Sequence, residues 1–222
     1  KVGDSDALEY LQISGEDIDF REEVIMNGNL RITATGNVTF KNNLFVNGDL
    51  YIEDADSIDF KGIVTVTGNI FLEGNKVDLA NTIRTTGVGK TLTIRPADKT
   101  FDITVAGAFD NGTVGSSTLD ITATELGYIQ DGFSTITIGY KNALGHSDSG
   151  LGDVFIGQKD VNTNTFLDEL FVYGNKIVIE DGLNSNYVFK TIDNIHLEAY
   201  GNVEIYNQMI AGTYNSSKDI TI

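Results

Sequence analysis

A glycine recurs every 20 residues in the first third of the chain, and the residues around it are nearly the same each time. The glycines are Gly28, Gly48 and Gly68, and each is followed by Asn or Asp and then by Leu or Ile. A fixed period of this size is typical of solenoid proteins, in which each repeat forms one turn and buries its apolar face against its neighbours. The repeat therefore constrains the fold of this chain more strongly than it constrains the function.

Each of the first three repeats contains three short segments in which apolar and polar residues alternate. Alternation with a period of two indicates a strand that is buried on one face. We predict that equivalent strands stack in parallel, so that Leu30, Leu50 and Ile70 form one interior column and Phe40, Phe60 and Leu79 form another. The residues between the apolar positions are expected to point outward: Arg31, Thr39, Tyr51, Asp59, Thr65 and Asp78.

These patterns predict an all-β chain folded as a single-stranded right-handed parallel β-helix, with about ten coils of roughly 20 to 25 residues. The right-handed form is favoured because parallel crossovers are almost always right-handed. A left-handed hexapeptide helix would show a six-residue repeat, and the sequence shows none. We expect one domain, 1–222, made of a possible N-terminal coil or cap (1–22), regular coils (23–106), coils with enlarged loops (107–168) and C-terminal coils (169–222).

Local signals refine this prediction. The glycine column is expected to form corners between strands, where a positive φ favours Gly or Asn. Thr122 to Glu125 resembles a capping box and predicts a single helical turn, with a strand and an unusual turn as the alternative. Ala7 to Leu11 is compatible with a short helix or with a strand. Enlarged loops are expected at 107–118, 140–152 and 157–168.

Composition excludes several classes of partner. The chain has 32 acidic and 15 basic residues and a formal net charge of −17, which argues against nucleic acids and anionic membranes. It has no cysteine, so disulfides and thiolate metal sites are excluded. No apolar stretch approaches the roughly 20 residues of a membrane span. Because Lys1 is not an initiator and no signal-peptide pattern follows it, we expect the chain to be either an excerpt or a processed product of a longer protein.

Reactive groups are sparse. The only histidines are His146 and His196, and a Ser-His-Asp triad lacks a nucleophile-elbow sequence. Asp54 and Asp56 could serve a polysaccharide hydrolase or lyase, but no arginine lies in a recognisable lyase motif. The four arginines are Arg21, Arg31, Arg84 and Arg95. We therefore predict no catalytic, cofactor-binding or metal-binding residue and expect that the chain is not an enzyme.

Two clusters of acidic residues are candidate calcium-binding sites, because Asp and Glu at turns supply the oxygen ligands that this ion prefers. They are Glu53/Asp54/Asp56 and Asp148/Asp153. Solvated acids are the alternative interpretation of both groups. Glycosylation triplets begin at Asn37, Asn111 and Asn215, and triplets this short arise by chance in a chain of this composition.

Aromatic residues alternate with the inward aliphatic residues of several predicted strands. We expect Tyr51, Phe71, Phe155, Phe171 and Tyr206 to face outward. A row of exposed aromatic rings along one sheet would form a contact surface.

The repeat core, Asn27-Gly28-Asn29-Leu30-Arg31-Ile32 and its copies, resembles the β-helical shafts of filamentous-haemagglutinin-like bacterial surface proteins. The stretch from Leu119 to Gly139 is similar to a recurrent segment of very large secreted repeat proteins. This resemblance covers roughly residues 24 to 205 and implies a rigid extracellular adhesin module on the bacterial cell surface, without a catalytic residue. Its partners would be its own copies, other surface-protein segments or glycans. The alternatives are a subunit that stacks end to end and a polysaccharide lyase or hydrolase.

Overall fold

The computed structural model describes residues 8–107, 117–142, 144–157, 164–179, 188–191, 193–206, 208–213, 216–217 and 219–222. This part of the chain is all-β, with one four-residue helix, α1 (Ala123–Leu126). The strands are β1 Tyr10–Gly15, β2 Ile18–Phe20, β3 Val24–Met26, β4 Asn29–Ala34, β5 Asn37–Phe40, β6 Leu44–Val46, β7 Leu50–Phe60, β8 Val64–Val66, β9 Ile70–Leu79, β10 Ile83–Thr85, β11 Thr91–Arg95, β12 Asp102–Gly107, β13 Thr118–Thr122, β14 Thr135–Gly139, β15 Val154–Ile156, β16 Asn164–Phe166, β17 Glu169–Gly174, β18 Ile177–Ile179, β19 Val188–Thr191, β20 Ile195–Ala199, β21 Val203–Ile205, β22 Gln208–Thr213, β23 Ser216–Ser217 and β24 Ile220–Thr221.

The strands form four mostly parallel sheets. The principal sheet has 11 strands and runs β1-β4-β7-β9-β11-β14-β17-β20-β24, with β2 and β5 joined to it through β7. The other sheets run β3-β6-β8-β10, β13-β12-β15-β18-β21 and β16-β19-β22-β23. Strands one repeat apart in sequence therefore lie side by side, and the pair β22–β23 departs from the predicted pattern because it is antiparallel.

The predicted interior columns are confirmed. Leu30 pairs with Leu50, and Leu50 pairs with Ile70, in successive parallel strands. These side chains are almost fully buried and belong to one continuous apolar core. A second column begins one repeat earlier than predicted, because Phe20 stacks on Phe40 with ring centroids 4.5 Å apart. Apolar burial repeated at every turn is the main force that stabilises such a stack.

The glycine column lies at the predicted corners, but our reason for it was wrong. Gly28, Gly48 and Gly68 do not have a positive φ. A Cβ atom on Gly68 would lie 2.4 Å from the carbonyl oxygen of Gly48, which accepts a hydrogen bond of 2.8 Å from the Gly68 amide. The close approach of one corner to the next therefore requires glycine, because any side chain would collide with backbone.

The residue after each glycine ties the corners together. The Asn29 Oδ1 atom accepts from the Asp49 amide at 2.8 Å, and the Asp49 Oδ1 atom accepts from the Asn69 amide at 2.7 Å. The Asn69 Oδ1 atom then accepts from the Thr91 amide at 3.1 Å. These side chains satisfy backbone donors that the corner would otherwise leave unpaired.

Helix α1 confirms the predicted capping box. The Thr122 hydroxyl accepts from the Glu125 amide, and a Glu125 carboxylate oxygen accepts from the Thr122 amide at 2.8 Å. The other Glu125 oxygen accepts from the amide of Leu79 at 2.9 Å, at the end of β9. This buried carboxylate therefore fixes the helix to the sheet, and its burial raises the pKa of Glu125.

Several elements differ from the predictions. In the second and third repeats two predicted strands merge, so β7 and β9 run for 11 and 10 residues. Of the two alternatives for Ala7 to Leu11, the structure shows the strand, because Tyr10 and Leu11 begin β1. Strand β16 lies inside the loop predicted at 157–168, and β13 lies on the opposite side of β12 from β15. Most of the turn predicted at 107–118, the triplet at Asn111 and the residue Asn215 lie outside the described residues.

Candidate functional site

The outward side chains of the principal sheet, here called the outer face, hold most of the predicted aromatic residues. Register places Tyr51 beside Phe71, and Phe171 beside His196. Phe155 and Tyr206 lie elsewhere, in β15 and after β21. The five aromatic residues therefore do not form one row along a single sheet, and the outer face carries two separate clusters.

The arginine–aromatic cluster consists of Arg31, Tyr51, Phe71, Arg95 and Tyr140. The Arg31 guanidinium carbon lies 5.9 Å from the Tyr51 ring centroid, and Tyr51 meets Phe71 at 6.2 Å. The guanidinium of Arg95 lies between two rings, 4.6 Å from the Phe71 centroid and 4.4 Å from the Tyr140 centroid. Cation–π contacts of this kind stabilise partly buried cations.

Each arginine of this cluster also binds a carboxylate. Arg31 donates to both oxygens of Glu53 at 2.8 and 2.9 Å. The Nε atom of Arg95 donates to Glu73 at 2.5 Å. The Glu73 side chain is only 9% exposed, and its burial raises its pKa while the Arg95 charge acts in the opposite direction. These carboxylates are held in ion pairs, so they do not form the open carboxyl pair that glycoside hydrolysis requires.

Tyr140 fixes a loop to this cluster. Its hydroxyl donates to the carbonyl oxygen of Pro96 at 2.5 Å, just after β11. Burial raises the pKa of Tyr140 to about 12. Tyr140 directly follows β14, so it anchors the start of the loop predicted at 140–152.

The histidine–aromatic cluster lies farther along the outer face, on β17 and β20. His196 stacks on Phe171 with centroids 4.3 Å apart and planes 9° apart, and its Nε2 atom lies 3.1 Å from a Glu169 oxygen. Asn194 donates to the same Glu169 oxygen at 2.8 Å. Phe171 and His196 are half-buried, so both keep an accessible edge.

The structure does not assemble the triad considered from the sequence. His146 Nδ1 lies 2.8 Å from Oε1 of Glu198, not from an aspartate. The hydroxyl of Ser147 donates to the backbone carbonyl of Glu198. The Ser147 amide donates to the Glu198 carboxylate at 3.1 Å. These contacts attach the 140–152 loop to β20, and they leave Ser147 without the base that a nucleophile needs.

One carboxylate of each candidate calcium group is already bound by another side chain. Glu53 is bound by Arg31, and Asp153 accepts from the Asn175 amide group at 2.8 Å. Asp54 is exposed and has a φ of 61°, at the bulge in β7. Among the described residues, no group of three or more His, Asp or Glu side chains could hold a metal ion.

Sequence reasoning missed the salt bridge between Glu73 and Arg95 on the outer face. The available signal was their separation of 22 residues, close to the repeat, which places them side by side in β9 and β11. It also missed the buried carboxyl of Asp168, which follows β16 in a predicted loop. Residues outside the regular repeats have no periodic signal that would show them.

Comparison of the chain with protein-family models, with curated proteins and with solved structures found no match. Within the part of the chain that the structure describes, no helix is long and apolar enough to cross a membrane.

Replacing Arg95 with glutamine is expected to lower the free energy of unfolding by about 2 kcal/mol, between the values for exposed and for buried ion pairs. The substitution leaves the Glu73 carboxylate without its cation and removes the guanidinium from between Phe71 and Tyr140. Urea denaturation at pH 7 measures the loss. Arg84→Gln is the matched control, because exposed Arg84 makes one hydrogen bond among the described residues, to the Thr65 hydroxyl. We expect this substitution to lower the free energy of unfolding by less than about 0.5 kcal/mol. Equal losses in the two variants would contradict a stabilising role for the cluster.

Proposed function

We propose that the chain is a right-handed parallel β-helix that serves as a non-catalytic structural and adhesive module of a bacterial surface or fibre protein. The observation that carries this proposal is the in-register parallel pairing along the whole principal sheet, from β1 to β24. Such pairing over one continuous core gives a stiff body. Stiffness of this kind suits a shaft, and the resemblance to filamentous-haemagglutinin-like shafts points to the same role outside the cell.

The adhesive part of the proposal rests on the outer face. Half-buried rings with accessible edges, flanked by carboxylates and an imidazole, form the type of surface on which sugars stack and donate hydrogen bonds. Phe171, His196 and Glu169 meet this description. The strongly acidic chain has little attraction for nucleic acids or anionic lipids, so glycans and other surface proteins are the partners that fit best.

Binding to an array of immobilised bacterial and host glycans tests this function. We expect the wild-type chain to bind a subset of glycans, and Phe171→Ser/His196→Ser to reduce that binding at least tenfold. Tyr206→Ser is the control, because Tyr206 is an exposed aromatic residue outside the principal sheet. Retention of binding in the double variant, or absence of binding by the wild-type chain, would contradict the adhesive role.

The same glycans distinguish the enzymatic alternative. A polysaccharide lyase or hydrolase would release products from them, and the release would stop in Asp54→Asn or Asp56→Asn. We expect no release, because the two carboxylates near them, Glu53 and Glu73, are held by arginines.

A second candidate function is end-to-end stacking of copies. Large apolar side chains are exposed near both outermost strands of the principal sheet, with Leu8 and Tyr10 at one end and Ile220 and Ile222 at the other. Among the described residues, β1 and β24 each have a neighbouring strand on one side only, so a parallel strand of another copy could pair with the other side. Sedimentation and negative-stain imaging of the same preparation would show filaments if copies stack, and Ile220→Lys should disperse them.

A further inference from the structure

Asp168 is a buried carboxyl group that no part of the proposed function uses. It is 5% exposed and lies in the turn between β16 and β17. Its Oδ1 atom accepts from the amide of Gly132 at 3.2 Å, while its Oδ2 atom has no hydrogen-bond partner among the described residues. A buried carboxylate with one unpaired oxygen is destabilising unless a proton or another charge compensates it.

Asp131 directly precedes Gly132, whose amide binds Asp168, so its carboxyl lies near Asp168 and acts on it electrostatically. Helix α1 also packs on β16, but the carboxylate of its Glu125 is occupied by Thr122 and Leu79. Asp131 is therefore the charged group that acts on Asp168. Two carboxylates in contact repel each other, and one proton placed between them converts that repulsion into a hydrogen bond.

We propose that Asp131 and Asp168 share one proton and form an acid-strengthened latch, which ties the segment 130–134 to the turn between β16 and β17. With the proton present, the hydroxyl of the Asp168 carboxyl group donates a hydrogen bond to Asp131. The other Asp168 oxygen continues to accept the hydrogen bond from the Gly132 amide. Loss of the proton leaves two facing negative charges, one of them buried, and weakens the attachment of the segment. The latch joins two parts of the chain that are 36 residues apart.

The direction of the pH dependence follows from this geometry. Burial, with Asp131 as a second cause, raises the pKa of Asp168 from 3.8 to about 6. Between these values the folded chain holds a proton that the unfolded chain has lost, so stability falls as the pH rises through this window. Below the window both states are protonated, and above it both are ionised, so the contribution of the pair is constant there.

Urea denaturation of wild type and Asp168→Asn from pH 4 to pH 8 tests the latch. Relative to the variant, the wild-type equilibrium constant for folding should fall about fiftyfold as the pH rises from 4 to 7. Subtracting the free energy of unfolding of the variant from that of the wild type cancels the pH dependence contributed by the other carboxylates, some of which has the opposite sign. Asp131→Asn should lower the pKa of Asp168 and so reduce the fall in the folding equilibrium constant. Asp148→Asn is the control, because Asp148 is exposed, and it should leave the size of that fall unchanged.

A direct titration keeps the proposal testable if Asp168→Asn does not fold. In the wild-type protein, the ¹³C shift of the Asp168 carboxyl should titrate near pH 6, and hydrogen-exchange protection of the Gly132 amide should fall over the same range. A midpoint near 4 for Asp168, or protection at Gly132 that does not change between pH 4 and pH 7, would overturn the latch. Parallel pH profiles for wild type and Asp168→Asn would overturn it equally.

Discussion

Phe40→Ala is expected to lower the free energy of unfolding by about 4 kcal/mol, as is typical when a fully buried phenylalanine is truncated. Phe40 is 1% exposed and lies between the rings of Phe20 and Phe60, with centroids 4.5 and 5.2 Å away. Its removal leaves a cavity whose walls are strands on both sides, β2 and β7. Because those strands are fixed by their own backbone ladders, they can close the cavity only in part.

Phe45→Ala is the matched control, since Phe45 occupies the outward, half-buried position of β6 in the same repeat. Its neighbours in register are Ile25 and Thr65, and it takes no part in the interior column. We expect the loss for Phe45→Ala to stay below about 1 kcal/mol in the same urea titration. If the two variants lost equal stability, the aromatic column would not be the part of the core that stabilises these repeats.

The first three repeats were predictable because each depends on local rules that agree with one another. Alternating apolar residues identify the buried positions, and a period of 20 fixes which of them become neighbours. Leu30, Leu50 and Ile70 therefore pair as expected. The merging of strands in β7 was not predictable in the same way, because its bulge depends on the backbone of Asp54.

Beyond β11 the sequence loses this regularity, and its predictive value declines. β13 lies on the far side of β12, a placement that no periodic pattern indicates. The position of Tyr140 against Arg95 joins residues 45 positions apart through a loop, and the hydrogen bond from the Gly132 amide to Asp168 joins residues 36 positions apart. Such contacts depend on how irregular segments return to the sheets, which residue spacing alone does not determine.

The candidate site was predictable only as a set of outward aromatic residues. Alternation correctly placed Tyr51, Phe71 and Phe171 on the outer face, because side chains in a strand point to opposite sides in turn. It gave no indication that arginines would cover two of these rings, since Arg31 and Arg95 reach them from neighbouring strands. The chemical character of the surface therefore emerges only when strands distant in sequence lie side by side.

Gly68→Ala is expected to cost about 3 kcal/mol or more, because the new methyl group would overlap backbone that cannot move aside. Its Cβ atom would lie 2.4 Å from the Gly48 oxygen and 2.2 Å from Oδ1 of Asp49, which also accepts from the Asn69 amide. Relief of the overlap would separate two corners that are hydrogen-bonded to each other. Gly15→Ala is the control, since the new Cβ atom would meet only Ile18, at 3.6 Å. We expect this substitution to leave the free energy of unfolding nearly unchanged.

Asparagine at the same positions separates the steric explanation from a conformational one. If Gly68 were needed for a left-handed backbone, Asn should be tolerated better than Ala, because Asn adopts a positive φ at lower cost. If the close approach of backbone is the cause, Gly68→Asn should be at least as damaging as Gly68→Ala, because the larger side chain meets the same Gly48 oxygen. Gly150 provides the converse case: its φ is 75° and its surroundings are open, so there Asn should be the milder substitution. Thermal and urea denaturation of the four variants would show opposite orders at the two sites, and the same order at both would refute the steric account of the repeating glycine.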